Sequence, residues 1–271
     1  FYQNILRVPS AKGESSTFGT AVHYALDGLY KNLADLKDEA KAKEYIKNRF
    51  TAAMHSSKEA FTKEGLERRM YYGIDILNKY YDQYAMTWAG QGDIHTELYL
   101  KNCEIEGVPI RGQIDKVVIN DKAAHVVDFK TGQVKYGIKK IKPPVILGDN
   151  PDEANFEKRL GGDYWRQVLF YKALIESDTT QNLKVISGEI DFIEPENEEL
   201  KKVKIMVNEV EYAFVKKQIR ETFTKIQNLE FEKGCDEADC QWCNFNKNYL
   251  ENKVYSAADL LHSESDEMEE R

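Results

Sequence analysis

A predicted β-hairpin near the middle of this 271-residue chain constrains its fold more than any other feature. Two stretches rich in valine and isoleucine, 108–119 and 123–130, flank an Asn-Asp pair at 120–121 that suits a tight turn. Each stretch carries one aspartate, Asp115 or Asp128, at an interior position where an apolar residue is usual. A charged residue inside each of two paired strands indicates a site that both strands build.

The register of the hairpin decides whether the two aspartates meet. A two-residue turn at 120–121 sets Asp115 opposite Val126 and diagonal to Asp128, and a four-residue turn sets the two aspartates directly opposite each other. Both registers place them on one face of the sheet, whereas a three-residue turn separates them to opposite faces. Lys130 projects from the same face as Asp128, because side chains alternate along a strand.

Two carboxylates and one ammonium on a shared strand surface need partners or an ion to offset their lost hydration. Oxygen-rich sites with few protein ligands suit Mg²⁺ or Mn²⁺, and such a site fits the Asp115 and Asp128 pair. Lys130 would then assist an attacking water and stabilise the charge that develops on phosphorus. The alternative is a solvent-facing hairpin with ordinary surface ion pairs, against which the apolar flanking residues argue.

Four short motifs, in order along the chain, resemble one family of enzymes. Gly-Gln-Ile-Asp115 and Asp128-Phe-Lys-Thr-Gly resemble the PD-(D/E)XK nuclease superfamily, and more narrowly its RecB-like branch, whose second motif usually reads Asp-Tyr-Lys-Thr-Gly. Upstream, the segment 18–23, ending in His23, resembles a helical histidine motif. Downstream, the segment 167–171 resembles a helical Gln-x-x-x-Tyr motif. The resemblance spans most of the chain, roughly residues 1 to 249.

The resemblance implies an α/β fold with a restriction-endonuclease-like central mixed sheet, flanked by helices on both faces. It implies a metal-dependent DNA nuclease that hydrolyses phosphodiester bonds, and it favours an exonuclease that acts on single strands or DNA ends in recombination or repair. The implied catalytic residues are Asp115, Asp128, Lys130, Gln167 and Tyr171. The implied ligands of Mg²⁺ or Mn²⁺ are His23, Asp115, Asp128 and the backbone carbonyl of Phe129, with Glu97 as a further candidate.

Each of these helical and edge residues also has a purely structural interpretation. His23 lies at the edge of an apolar stripe in a predicted helix that starts behind a Ser16 or Thr17 cap, so alone it would be a half-buried histidine. Gln167 and Tyr171 share a helix face with Asp163, and the alternative to a catalytic role is a purely structural hydrogen-bonding one. Glu97 either reaches the metal, directly or through water, or is an ordinary strand-edge glutamate.

The remaining sequence pattern indicates helices first, then a sheet, then a mixed region. Expected helices are 16–33, 37–48, 58–86, 162–177 and 208–231, and expected strands are 94–106, 108–119, 123–130, 184–194 and 201–207. This order favours a mixed sheet with helices on both faces. We expect one nuclease domain over 1–255, with a helical part at about 1–90, a loop insertion at 133–160 and an acidic tail at 256–271.

The first residues suggest a piece of a longer protein, and the charge of the chain bears on how it would bind DNA. The net charge of −8, from 38 basic and 46 acidic residues, argues mildly against a broadly basic DNA-binding surface. A lysine-rich stretch at 135–142 either follows a phosphate backbone or is simply solvated. The chain lacks an initiator Met, a signal peptide, a bilayer-spanning apolar run and a helicase phosphate-binding loop. We therefore expect a cytoplasmic nuclease module with DNA as substrate and a linked or associated helicase as partner.

Three cysteines cluster near the end of the chain, at Cys235, Cys240 and Cys243. Several RecB-like nucleases hold an iron-sulfur cluster with one N-terminal cysteine and three C-terminal ones. Here the fourth ligand is missing, because no cysteine precedes Cys103, and free thiols in a reducing compartment are the favoured interpretation. A zinc site that uses His262 has a spacing that fits no common zinc finger.

Two other functions remain open at this stage. A nuclease-like module without activity would bind only DNA or a helicase partner, although intact Asp115, Asp128 and Lys130 argue against a decayed site. A different metal-dependent phosphoesterase would act on RNA or nucleotides instead of DNA.

Overall fold

The computed structural model describes residues 7, 13–88, 90–144, 160–178, 181–230 and 240–250. The chain divides into two compact units, one formed by Ala11–Glu221 and the other by Phe1–Ser10 together with Thr222–Arg271. The hairpin and all four motifs lie in the first unit. The expected acidic tail at 256–271, most of the expected loop at 133–160, Cys235 and His262 lie outside the described residues.

The first unit begins with three helices, continues into strands and ends with a mixed region. Its helices are α1 (Glu14–Lys31), α2 (Glu39–Ser56), α3 (Lys63–Tyr84), α4 (Val134–Gly137), α5 (Asp163–Ser177) and most of α6 (Glu209–Gln227). Its strands are β1 (Asp93–Ile105), β2 (Val108–Asn120), β3 (Ala123–Lys130), β4 (Lys184–Glu196) and β5 (Glu199–Met206). All five expected strands and the five longer helices are therefore present, with shifted ends.

The shifted helix ends have local causes. Helix α3 starts five residues later than expected because a short 3-10 turn at Lys58–Ala60 precedes it and the side chain of Thr62 accepts a hydrogen bond from the Gly65 amide. Helix α1 starts earlier than expected, at Glu14 behind Gly13, so the expected Ser16 or Thr17 cap is wrong.

The five strands form one mixed sheet in the order β1-β2-β3-β4-β5. Only β3 and β4 are parallel, and α5 lies in the crossover that connects them, as a parallel pair requires. Phe129 and Val127 point from β3 into the core with α1 and α3, whereas Asp128 meets Tyr171 of α5. Helices thus cover both faces of the sheet, and the expected architecture is confirmed.

The β2–β3 hairpin turns at Asp121 and Lys122, one residue later than expected. Asn120 pairs with Ala123 and Lys116 pairs with Val127. Asp121 takes a backbone φ of +54°, in the left-handed region that tight turns use and that short polar residues tolerate. This register is the one in which the two aspartates of the hairpin lie directly opposite each other.

The core is made largely by aromatic and aliphatic side chains from α1, α2 and α3 packed against the sheet. The tyrosine-rich segment of α3 contributes Tyr80 and Tyr81 to this core, whereas Tyr71 is 82% exposed. Trp165 and Leu169 are buried and fix α5 in place, which sets the positions of Gln167 and Tyr171 on the same helix.

The second unit is described at residue 7 and over 222–230 and 240–250. It contains the end of α6 and a short helix α7 (Gln241–Phe245), which continues into a π-helical turn at Asn246–Leu250. Cys240 is the residue before α7, and Cys243 lies within it. Because Cys235 lies outside the described residues, the interpretation of these three cysteines rests on the sequence alone. Among the described helices, none combines the length and apolarity that crossing a bilayer requires.

A substitution at Gly188 tests the packing of α5 on the sheet. A Cβ at Gly188 on β4 would overlap with Val168 of α5, so we expect Gly188→Ala to lower the free energy of unfolding by about 1–3 kcal/mol. At Gly132 a Cβ would meet nothing within 4 Å, and Gly132→Ala should change stability by less than about 0.5 kcal/mol. Urea unfolding of both variants measures the difference, and equal stabilities would contradict the packing described.

Candidate active site

Three acidic residues lie in one row across β1, β2 and β3. The pairs on either side of Glu97, formed by Thr96 with Lys116 and by Leu98 with Ile114, place Glu97 opposite Asp115. The hairpin register, extended by one residue beyond the Lys116 pair, places Asp115 opposite Asp128. The row therefore runs Glu97, Asp115, Asp128, and the sheet itself holds the carboxylates side by side.

Glu97 departs from regular strand geometry at this position. Its backbone φ is +49°, which is uncommon for a residue other than glycine and raises the energy of the local backbone. Its side chain accepts a hydrogen bond from Gln113, the glutamine of the Gly-Gln-Ile-Asp motif. Ligand-type atoms of His23, Glu97 and Asp115 all lie within 4.8 Å of one another. Glu97 is thus part of the cluster rather than an isolated edge residue.

Asp115 links β2 to β3 through its side chain, one residue beyond the last backbone pair of the hairpin, which is Lys116 with Val127. Its Oδ2 accepts a hydrogen bond of 2.8 Å from the backbone amide of Phe129. Its Oδ1 lies 3.5 Å from Nδ1 of His23, which α1 presents to this edge of the sheet. Oδ2 therefore stabilises the pairing of the two strands, and Oδ1 faces the cluster.

His23 bridges α1 to β3. Its Nε2 donates a hydrogen bond of 3.0 Å to the carbonyl oxygen of Phe129, which leaves Nδ1 directed at Asp115. The carbonyl expected as a metal ligand therefore already has one partner, and its second lone pair remains for another. In its neutral form, His23 with this tautomer has a lone pair on Nδ1, on the side of the carboxylates.

The other end of the cluster is a closed ring of four polar side chains. Lys130 Nζ lies 2.6 Å from Oδ2 of Asp128 and donates a 2.9 Å hydrogen bond to Oε1 of Gln167. Gln167 Nε2 donates to the Tyr171 hydroxyl at 2.7 Å, and this hydroxyl donates to Oδ1 of Asp128 at 2.9 Å. The structure thus brings together all four of these predicted residues, and α5 fixes Lys130 through Gln167.

The electrostatics of the cluster disfavour simultaneous ionisation of its acids. Burial, and next the negative charge of Asp115, raise the pKa of Asp128. Burial and the same aspartate raise the pKa of Glu97. Burial lowers the pKa of His23, but the hydrogen bond and charge of Asp115, with Asp128 and Glu97, leave it above its ordinary value. Burial is the largest cause of the shifts at Asp128 and Glu97, and the negative charge of Asp115 adds to both.

The donor set fits a divalent cation. Oδ2 of Asp128 is buried, and its partner among the described residues is the Lys130 ammonium at 2.6 Å. A carboxylate oxygen with one such partner has a second lone pair for a ligand, and a positive ion would offset the negative charge that contributes to the raised pKa values. Carboxylate oxygens and one imidazole nitrogen suit Mg²⁺ or Mn²⁺.

One residue of this region, Tyr164, escaped the sequence interpretation. The Lys130 ammonium lies 4.5 Å from the centre of the Tyr164 ring, which also faces Lys140 at 5.5 Å. Tyr164 lies three residues before Gln167 on α5, so helical spacing could have identified it. Asp163, which that spacing also suggested, instead pairs with Arg166.

Removal of one hydroxyl tests the closed ring. In Tyr171→Phe, Asp128 and Gln167 lose their shared partner, and we expect the free energy of unfolding to fall by about 1–3 kcal/mol, since buried polar atoms are left unsatisfied. Tyr136 is 60% exposed, and Tyr136→Phe should change stability by less than about 0.5 kcal/mol. Equal losses in the two variants would show that the ring does not stabilise the fold.

Comparisons with known proteins bear on the fold and the family of this chain. The crystal structure of a protein named "Putative exonuclease" from Eubacterium rectale aligns with a TM-score of 0.54 and 16% identity, over 96% of this chain and 83% of that one, and so shares its fold. The crystal structure of SSO0001 aligns with a TM-score of only 0.37 at 14% identity, over 94% of this chain and 100% of that one. No curated protein gives a significant match.

A family model matches residues 1–247, which is most of the chain. The α/β sheet with helices on both faces is the restriction-endonuclease-like fold of that family. The chain belongs to the PD-(D/E)XK nuclease superfamily.

Proposed function

We propose that this protein is a Mg²⁺- or Mn²⁺-dependent deoxyribonuclease that removes nucleotides from DNA ends. The observation that carries the proposal is the row of Asp115 and Asp128 across two paired strands, with the Lys130 ammonium 2.6 Å from Asp128. Membership of a nuclease superfamily supports a hydrolase that acts on nucleic acid.

In this proposal, Asp115 and Asp128 bind the cation, with His23, Glu97 and the Phe129 carbonyl as further ligands. The cation, when bound, supplies a Lewis acid that polarises the scissile phosphate and makes a water more acidic. The number of ions is one or two.

Lys130 is the side chain of this protein that we propose to act directly on the attacking water and the phosphate. Its ammonium is held between Asp128 and Gln167, so its position is set before the substrate arrives. From there it orients the attacking water and donates hydrogen bonds to the phosphate oxygens, where negative charge increases in the transition state. In the hydrolysis, the water oxygen forms a bond to phosphorus, one ester P–O bond breaks, and the proton of water passes to the leaving oxygen.

Gln167 and Tyr171 are proposed as positioning residues. Tyr171 orients the Asp128 carboxylate, and Gln167 orients Lys130, so together they fix the angle between acid and amine. The pKa of the Tyr171 hydroxyl is raised by burial and by Asp128, so this hydroxyl remains a hydrogen-bond donor at neutral pH.

The order of the four motifs favours the RecB-like branch, and from it we infer a role in DNA recombination or repair in the cytoplasm, beside a helicase. The exposed lysines at 135, 139 and 142, which follow the site along the chain, would contact the phosphate backbone.

The test compares labelled linear single-stranded DNA, circular single-stranded DNA and RNA of equal length, each with Mn²⁺ and with EDTA. The proposal predicts that only the linear DNA is degraded, and that it is degraded with Mn²⁺ and not with EDTA. Cleavage of the circle would show an endonuclease. DNA binding without cleavage in any condition would favour an inactive module, and preferential hydrolysis of RNA would favour a different phosphoesterase.

A further inference from the structure

A second polar cavity lies on the face of the sheet opposite Asp128. Its volume is about 420 Å³, and four strands form its floor while the end of α3 and the following turn form a wall. The side chains that give it a charge or a hydrogen-bonding group include Lys116, Lys202, Lys204, Glu189, His125 and Ser187. None of these residues belongs to the candidate active site.

Lys116 is the unusual member of this set. It is 2% exposed, and its Nζ contacts the Tyr30 hydroxyl at 3.3 Å and lies 4.4 Å from the centre of the Tyr30 ring. Among the described residues, no carboxylate lies within 4.0 Å of this ammonium. Burial removes the hydration of this ammonium, and one hydroxyl and two aromatic rings replace that hydration only in part, so the charge is retained at a cost.

The other charges around the cavity leave it positive. Lys202 lies 2.8 Å from Asp191, a fully buried residue that does not line the cavity, and 3.5 Å from Glu189. Lys204 pairs with Glu189 across the β4–β5 ladder, yet its exposed side chain makes no ion pair within the described part of the chain. Three lysines thus face two carboxylates, in a chain whose overall charge is negative.

Neutral hydrogen-bonding groups complete the lining. The His125 ring and the Ser187 hydroxyl are joined by a 2.7 Å hydrogen bond on the floor of the cavity. A hydroxyl and an imidazole next to two lysines are the groups that bind oxyanions in proteins, because several donors can converge on one tetrahedral group.

We propose that this cavity binds a phosphate group, carried by a nucleotide or free as inorganic phosphate, with Lys116 as its buried cation and Lys204 as its exposed one. An oxyanion placed there would give Lys116 the counter-charge that it lacks. The volume exceeds that of a lone phosphate, which favours a nucleotide as the carrier. The proposal needs no metal and is independent of the nuclease activity.

The test is a titration with inorganic phosphate, thymidine 5′-monophosphate and thymidine, in EDTA, followed by NMR of the His125 ring and the Ser187 amide. We expect saturable shifts at these two positions with a Kd of about 1 mM or below for a phosphate compound. Tighter binding of the monophosphate than of phosphate would identify a nucleotide carrier, and equal affinities would identify free phosphate. Thymidine should not bind.

Two variants locate the binding. Lys204→Gln is exposed and should fold normally, and we expect it to weaken binding by about fivefold or more; Lys116→Met should abolish binding. Replacement of a buried cation that has no ion pair by an apolar residue should leave the protein folded, which thermal unfolding checks. Lys201→Gln, an exposed lysine on β5 outside the cavity, is the control. The absence of saturable shifts, or an unchanged Kd in Lys204→Gln, would overturn the proposal.

Discussion

Asp128→Asn should reduce the rate of DNA hydrolysis by at least about 10³-fold, which corresponds to about 4 kcal/mol of transition-state stabilisation. The asparagine keeps the oxygen that accepts from Tyr171, so the shape of the site is retained. It removes the negative charge that faces Lys130 and that we propose to bind the cation. Initial rates on linear single-stranded DNA with saturating Mn²⁺ measure the effect.

The same substitution should not destabilise the metal-free protein. Burial and the charge of Asp115 raise the pKa of Asp128 in the folded state, so the stability that the protonated form contributes is lost as pH rises through that raised value. An asparagine cannot ionise, and at neutral pH in EDTA the variant should unfold at the wild-type temperature or above it. Mn²⁺ should raise the unfolding temperature of the wild type much more than that of the variant.

Asp121→Asn is the matched control for this experiment. It makes the same chemical change on the same hairpin, at a turn residue with a φ of +54°, a conformation that asparagine adopts readily. We expect wild-type activity and stability from it. Equal activity in Asp128→Asn and the wild type would contradict the proposed role of Asp128.

Lys130→Met should reduce the turnover rate by about 10²- to 10³-fold while Mn²⁺ still binds. Methionine has a similar length but no charge, so it removes the hydrogen bonds that Lys130 is proposed to donate to phosphate and leaves Gln167 without its donor. Because Lys130 competes for Oδ2 of Asp128, its loss should leave Mn²⁺ affinity unchanged or increased. Calorimetry gives the affinity and single-turnover assays give the rate.

Lys122→Met provides the control, since Lys122 is an exposed turn residue of the same hairpin. It should retain wild-type turnover. If Lys130→Met instead lost Mn²⁺ binding and turnover together, Lys130 would be a residue that maintains the site and not one that acts on the substrate.

The hairpin was the part of the site most accessible to prediction, because strand alternation and register are nearly sufficient to place Asp115, Asp128 and Lys130. The position of the turn was not, since Asn120-Asp121 and Asp121-Lys122 are both plausible turn pairs and only the packed sheet selects one. The two registers differ by two residues in the pairing, which keeps the aspartates on one face in either case.

The features that could not be predicted depend on contacts between distant segments. The left-handed backbone of Glu97 arises at one position of the β1–β2 ladder, and no local pattern marks it. The connection from Lys130 to Gln167 spans 37 residues and requires the crossover helix to return over the sheet. Lys116 is one lysine within a predicted strand, and only its burial against Tyr30 distinguishes it from other strand residues.

A crystal of the protein soaked in Mn²⁺, with anomalous scattering recorded for manganese, tests the central claim directly. The proposal predicts a peak whose ion lies within about 2.5 Å of carboxylate oxygens from both Asp115 and Asp128. A fully bound Mn²⁺ that contacts neither aspartate, or a site that stays empty at saturating Mn²⁺, would contradict it.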